Sequence, residues 1–66
     1  MKDLYKVKVE IEDKGETFER TEEVATLGAA TLRNDLLKQI NKYRTAMGLS
    51  KNYKVKKYSA QHVGWV

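Results

Sequence analysis

Sixty-six residues, 41% of them hydrophobic and 33% charged, predict one folded domain over residues 1–66 and exclude a second core or a disordered chain. The lack of cysteine excludes disulfides and thiolate metal sites, and the lack of a membrane-length apolar run or a signal-peptide pattern predicts a cytoplasmic protein with no membrane partner. The net charge of +4 is divided unevenly, because residues 1–30 carry five basic and eight acidic side chains whereas residues 31–66 carry eight basic and one acidic.

The first predicted element is a β-hairpin. Apolar and charged residues alternate over residues 5–12, which is the pattern of a half-buried strand. Gly15 accepts a positive φ, so a two-residue turn ending at Gly15 is predicted, with a second strand over Thr17–Val24. This register pairs Ile11 with Phe18 on one apolar face of the hairpin.

Two charged residues of the second strand, Arg20 and Glu22, turn toward the core side in the same register. Inward charges are a device of edge strands, where they discourage pairing with other sheets. The pattern therefore favours an edge position for the second strand.

The next predicted element is a helix over Leu27–Met47 with one apolar stripe. The stripe follows intervals of three and four residues. Its members are Ala29, Leu32, Leu36, Ile40, Tyr43 and Met47. Thr26 is the predicted N-cap and Gly48 the predicted left-handed C-cap. Arg33 and Arg44 border the stripe, and we expect them to form ion pairs with acidic residues of the hairpin.

A third strand is predicted over Asn52–Ser59. Tyr53 and Val55 face the core, and Lys57 would also point inward unless a bulge or the strand end intervenes, so we expect one there. The sequence leaves three alternatives open for residues 61–66: they extend the strand, pair separately or cover an open end of the core.

The order of these elements predicts an α+β fold, a two-layer ββαβ domain with one helix packed on one face of the sheet. A right-handed crossover through the helix makes the second and third strands parallel. The first strand fits between them, antiparallel to both, which gives a three-stranded mixed sheet in the order 2-1-3. The alternative order is 1-2-3.

Basic residues on the sheet face away from the helix form the first candidate site. In the order 2-1-3, we expect two lysines of the first strand to lie beside two of the third, with a tyrosine nearby. The predicted nucleic-acid-binding residues are Lys6, Lys8, Lys54, Lys56 and Tyr58. Lysines attract phosphates and an aromatic ring stacks on bases, so the first functional hypothesis is a non-enzymatic nucleic-acid-binding module. Lysines that merely solvate a strand are the alternative interpretation, and the order 1-2-3 would separate the four lysines.

A protein-interaction or regulatory domain is the second hypothesis. It would act as a homodimer, or as an accessory factor of a phage or mobile element that docks on a protein partner. Edge strands recruit partner strands, and Val63, Trp65 and Val66 would supply an apolar anchor at such an interface. Because the predicted core is small, packing of Trp65 back onto the domain is the preferred interpretation of that residue.

The sequence contains no pattern of an enzyme, a metal site or a cofactor site. Asp35 stands among basic residues of the helix, and no pair of carboxylates or Ser/His/Asp set is recognisable. His62 is the single histidine, and the sequence indicates no carboxylate beside it. We therefore expect a protein that is not an enzyme and has no cofactor.

Overall fold

The computed structural model describes all residues 1–66 as a small α+β domain with three strands and one helix. In chain order the elements are β1 (Asp3–Asp13), β2 (Glu16–Thr26), α1 (Ala29–Lys42) and β3 (Lys54–Trp65). The sheet order is β2-β1-β3, which confirms the predicted order 2-1-3 and not 1-2-3. Both neighbouring pairs are antiparallel, so the prediction of a mixed sheet is wrong. The parallel strands β2 and β3 are not neighbours, because β1 lies between them.

The β1–β2 hairpin has the predicted register, with Ile11 opposite Phe18. Its two turn residues, Lys14 and Gly15, have φ values of 55° and 79°. Positive φ at both central residues is the geometry of a type I′ turn, which matches the right-handed twist of the strands. Both strands are longer than predicted, since their pairing continues to Asp3 opposite Thr26.

The hydrophobic core lies between the sheet and the helix. Alternate residues of β1 and one residue of β2 meet one stripe of α1 and the loop that follows it. The buried members are Val7, Val9, Ile11, Val24, Leu32, Leu36, Ile40 and Leu49. Alternation on the strands and helical spacing on α1 thus converge on one core, as the two sequence periods predict.

The helix begins two residues later than expected, and Thr26 is not its N-cap. Gly28 occupies that position, without a side-chain cap hydrogen bond. Thr26 is still paired in β2, so its hydroxyl reaches the helix from the sheet instead. It lies 2.6 Å from Asp35 Oδ2 and 2.6 Å from Thr31 Oγ1. This buried threonine therefore links the end of β2 to the first turns of α1.

The helix also ends earlier than expected, at Lys42 instead of Met47. Tyr43 caps it, and residues 43–48 form turns. Gly48, with a φ of 75°, is the last residue of these turns and is not the helix C-cap. Its positive φ reverses the chain so that Leu49 enters the core, where it is buried.

Strand β3 includes the residues whose path the sequence left open. It runs to Trp65, and Val66 exchanges backbone hydrogen bonds with Lys2. The pairing with β1 shifts register at two positions, which leaves Lys56 and Val63 as extra residues on β3. These are β-bulges. The predicted bulge near Lys57 is confirmed one residue earlier, and the alternative that residues 61–66 extend the strand is correct.

Side-chain contacts hold the helix and its following loop against the hairpin. Gln39 Nε2, in the last turn of α1, donates to the Glu23 carbonyl at 3.0 Å. At the hairpin end of the sheet, Asp13 accepts hydrogen bonds from the Ser50 N–H, at 2.9 Å, and from the Ser50 hydroxyl. These bonds lower the pKa of the Asp13 carboxyl, the hydroxyl bond most, while partial burial opposes them and Lys14 adds a smaller lowering.

The expected ion pairs of Arg33 and Arg44 with the acidic hairpin are not formed. The ion pairs of the structure are Arg20–Glu22, Lys56–Glu12 and Lys57–Glu10, and His62 lies within hydrogen-bond distance of Asp3. Arg44 instead donates through Nη1 to the Leu49 carbonyl at 3.4 Å, because the helix ends before it and the chain turns there. The hairpin glutamates that form ion pairs therefore do so within β2 or with β3, and not with the helix.

Candidate functional site

The four lysines proposed from the sequence do not form one patch. Lys8 lies opposite Ser59, whereas Lys54 lies opposite Glu12. Four positions of β1 separate these two levels, which is about 13 Å along a strand. The strand order and the antiparallel direction of β3 were predicted correctly, but this pairing places the lysine-rich start of β3 beside the acidic end of β1, away from Lys6 and Lys8. The expected adjacency of the lysines is therefore wrong.

Two lysines of β3 are matched with acidic residues of β1. Lys56 Nζ lies 3.9 Å from Glu12 Oε1, and Lys57 Nζ lies 3.9 Å from Glu10 Oε1. Exposed pairs of this kind stabilise a fold by only about 0–1 kcal/mol. They do reduce the positive potential that a phosphate would meet at this part of the face.

Tyr58 lies on the opposite side of the sheet from the position expected for it. It pairs with Val9, and directly opposed residues of antiparallel strands point to the same face. Val9 belongs to the core, so Tyr58 shares the helix side of the sheet. The reason is the bulge at Lys56, which reverses the alternation that the sequence suggested for β3.

Of the four proposed lysines, Lys54 forms no ion pair, and neither do Lys6 and Lys8, which lie two positions apart on β1. Lys6 and Lys8 are both exposed, and neither has a carboxylate within ion-pair distance. They border an open depression of about 350 Å³ on the outer face. Polar and small residues complete its lining: Thr21, Ser59, Ala60 and Gln61. A second depression, of about 290 Å³, adjoins it at Lys8 and includes Glu10 and Glu19. The outer face is thus of mixed charge, with one locally basic position.

The helix side of β3 carries an aromatic cluster at the end where β1 begins. The His62 ring meets Tyr5 edge-on at 5.2 Å between ring centroids and Trp65 at 4.8 Å. His62 Nε2 lies 3.2 Å from Asp3 Oδ1. The expectation of no carboxylate beside His62 is therefore wrong, because the extension of β3 pairs its last residues with the first residues of β1.

Apolar side chains at the end of β3 are exposed. The fractional exposure is 45% for Val63 and 64% for both Trp65 and Val66. Trp65 touches His62 but does not pack back onto the core. The interpretation that the sequence favoured, in which Trp65 packs on the domain, is therefore wrong. The helix is tied to β2 through Glu23 and Thr26, so it leaves this part of β3 uncovered.

The two edges of the sheet differ in charge. The β2 edge carries five ionisable residues: Glu16, Glu19, Arg20, Glu22 and Glu23. On β3, all three lysines stand in the first four positions, and residues 58–66 contain no Asp, Glu, Lys or Arg. Charge is one of the means by which proteins keep an edge strand from pairing. The second half of β3 lacks it.

Sequence reasoning missed Ala60 and His62 as members of the candidate surface, since a short third strand ending at Ser59 excludes them. The available signal was the alternation of Tyr58, Ala60 and His62 on one face, which becomes visible once the strand is extended.

Comparison with known proteins adds no constraint: no protein-family model, no curated protein and no solved structure matches this chain. The single helix lacks the length and apolar character needed to cross a bilayer.

Proposed function

We propose that this protein is a non-enzymatic protein-interaction module that accepts an extended strand along the outer edge of β3. The observation that supports this most is the uncharged, exposed edge over residues 58–66, with Val63 and Trp65 beside it. In this proposal the fold is a two-layer ββαβ domain with the helix on one face, and it acts in the cytoplasm.

An edge strand offers unpaired N–H and C=O groups to a partner backbone, which supplies affinity, while side-chain pockets supply specificity. Here the exposed Trp65 and the half-exposed Tyr58 stand on the same face of the strand as His62. Aromatic residues of this kind are enriched among those that dominate binding energy. The backbone edge and the aromatic cluster would therefore act together on one bound strand.

The test uses selection of extended peptides from a random library, followed by NMR mapping of the selected peptides on the ¹⁵N-labelled protein. We expect selected peptides to shift the amide signals of Tyr58, Ala60 and His62. Ala60→Pro removes one outward backbone donor and should abolish binding, because proline cannot bond to the added strand. Thr21→Pro makes the same change on the β2 edge and should leave binding intact. Binding that is equal in both variants, or shifts confined to other surfaces, would refute the proposal.

Nucleic-acid binding is a second candidate, favoured specifically by the unmatched Lys6 and Lys8 on the outer face. If it is correct, single-stranded DNA or RNA should bind at about 50 mM salt, with affinity that falls steeply as salt is raised. The double variant Lys6→Gln/Lys8→Gln should then lose most of the affinity. The matched control Lys54→Gln/Lys56→Gln should lose less, because Lys56 already pairs with Glu12 and both lysines lie outside the depression that Lys6 and Lys8 border. Equal losses, or no binding at this salt concentration, would contradict nucleic-acid recognition by this face.

A further inference from the structure

The direction of each backbone group on β3 follows from the hydrogen bonds at its end. Lys2 and Val66 exchange two bonds, of 2.7 Å and 2.9 Å. In an antiparallel pair such bonded positions alternate along each strand, and β1 contains no bulge. The even-numbered residues of β1 therefore bond to β3. Their partners between the two bulges are Lys57, Ser59 and Gln61.

The remaining residues of this regular segment point their backbone groups away from β1. They are Tyr58, Ala60 and His62, and Ala60 is at their centre. If two copies of this strand pair antiparallel about a twofold axis at Ala60, the outward backbone groups of all three residues form hydrogen bonds. In that pairing Ala60 lies opposite Ala60, and Tyr58 lies opposite His62. A twofold axis at Ser59 would place His62 opposite Lys56, which is one of the bulged residues.

We propose that the strand bound by β3 is β3 of a second copy of this chain, antiparallel and with Ala60 opposite Ala60. This inference rests on the proposed function, in which the β3 edge accepts a strand. The result is a continuous six-stranded sheet with twofold symmetry, the commonest symmetry of protein oligomers.

The charge pattern of β3 is complementary to itself in this arrangement. Lys54, Lys56 and Lys57 of one copy lie opposite the uncharged residues 63–66 of the other. A parallel, in-register pair would instead place the lysines of the two copies against each other, which destabilises a sheet. The position of all charged residues in one half of β3 thus selects the antiparallel pairing.

The acidic β2 edge of another copy is also complementary in charge to the lysines of β3. Pairing of β3 with β2, however, leaves one free β2 edge and one free β3 edge at the ends, so copies would add without limit. Pairing of β3 with β3 closes after two copies and leaves only the charged β2 edges exposed.

The side chains on the helix side also support the pairing. Tyr58 of one copy comes opposite His62 of the other, beside the cluster that His62 already forms with Tyr5 and Trp65. Both helices lie on the same face of the joined sheet, because a twofold axis through a sheet leaves its faces in place. The aromatic residues of both copies then lie together between the two helices, where they lose exposure to water.

Cysteine cross-linking tests this pairing directly, because the chain has no cysteine of its own. Opposed Ala60 residues would have Cα atoms about 5.5 Å apart, within the range that a disulfide bridges. We expect Ala60→Cys to form a covalent dimer under mild oxidation at least about tenfold faster than the β2-edge control Thr21→Cys. A mixture of Ser59→Cys and Gln61→Cys should form mainly the mixed dimer, since these positions lie opposite each other in this register.

Sedimentation of the variants without cysteine completes the test. Wild type and Thr21→Pro should sediment as dimers at high concentration, and Ala60→Pro as a monomer. A monomeric wild type whose selected peptides still shift Tyr58, Ala60 and His62 would overturn the second copy as occupant but leave the proposed function in place. A monomer without such shifts would overturn both. A ladder of larger species, or cross-linking of Thr21→Cys as fast as Ala60→Cys, would contradict the closed β3 pairing.

Discussion

The two outer strands of the sheet, β2 and β3, flank the same central strand and yet have different surroundings. On β2, Val24 and Thr26 are buried, the helix bonds to Glu23, and the edge is crowded with charges. On β3 nearly every residue is exposed, and the second half of the strand is uncharged. One short helix thus covers about two strands, and the third strand stays exposed unless another element or another molecule packs on it.

The connections explain why the helix covers β2. Only Leu27 and Gly28 separate β2 from α1, so the helix turns back directly over the strand that precedes it. With 14 residues, α1 is about 21 Å long. Strand β3 follows only after the loop of residues 43–53, whose residues Met47, Leu49 and Tyr53 pack on the core. The loop thus covers the hairpin end of the sheet and leaves the other end of β3 bare.

The largest expected difference is in the free energy of unfolding when one large apolar residue is truncated to alanine in the helix-covered core and another in β3. We expect Leu36→Ala to lower the free energy of unfolding by about 2–5 kcal/mol, because it leaves a cavity in the core. Leu36 is fully buried, whereas Trp65 is mostly exposed. Trp65→Ala should therefore cost less than about 1 kcal/mol in the monomer. Urea unfolding of both variants, each carrying Ala60→Pro to prevent pairing, gives the comparison. Equal losses would show that β3 is better covered than the exposure of Trp65 implies.

A second, smaller effect tests the attachment of the helix to β2. Thr26→Val removes the hydroxyl that donates to the Asp35 carboxylate, and we expect a loss of about 1–3 kcal/mol. Thr21→Val, on the exposed face of the same strand, is the matched control and should change stability by less than about 0.5 kcal/mol. If thermal and urea unfolding give the same result for both variants, the contact between Thr26 and Asp35 contributes nothing to holding the helix.

A third test concerns the hairpin end, where Asp13 holds the loop. Its carboxyl has a lowered pKa in the folded state, so the folded state binds protons less readily than the unfolded state. The stabilisation is therefore present at neutral pH and is lost as pH falls below about 4, the ordinary pKa of an aspartate. We expect Asp13→Asn to make unfolding less dependent on pH below that value, as followed by urea titrations at several pH values. Ser50→Ala should have the same direction of effect, and the exposed Ser59→Ala should have none. An unchanged pH dependence in Asp13→Asn would exclude this contact as a source of acid sensitivity.

The smallest expected effect is an increase in the free energy of unfolding, produced by a substitution in the hairpin turn. Lys14 has a positive φ, which costs free energy for a lysine but little for asparagine. Lys14→Asn should raise the free energy of unfolding by about 0.5–1 kcal/mol. The control is Lys51→Asn in the exposed loop, where φ is not positive and no gain is expected. A gain of equal size in both variants would point to a charge effect and not to the turn.

The sequence predicted those features that depend on neighbouring residues. Alternation placed Ile11 opposite Phe18, and the spacing of Leu32, Leu36 and Ile40 placed one helical face on the core. Element ends were less predictable, because the end of α1 depends on how Leu49 packs, and a helical period cannot encode that contact.

The candidate site was less predictable than the fold. The position of Tyr58 depends on the bulge at Lys56, and the position of Lys54 depends on the register in which β3 pairs with β1. A bulge or a shift of register moves every later side chain of the strand to another neighbour or another face. The exposure of Trp65 depends on how much of the sheet the helix covers. The residues near Trp65 in the sequence carry no information about that.

The contact between Asp13 and Ser50 also indicates the order in which the molecule assembles. It joins positions 37 residues apart, whereas the hairpin closes through a turn of two residues. Closing a longer loop costs more chain entropy, so we expect the hairpin to form before the loop and β3 join the structure. In that order the edge of β3 is completed late, and a partner that recognises this edge would bind only after β3 has paired with the hairpin.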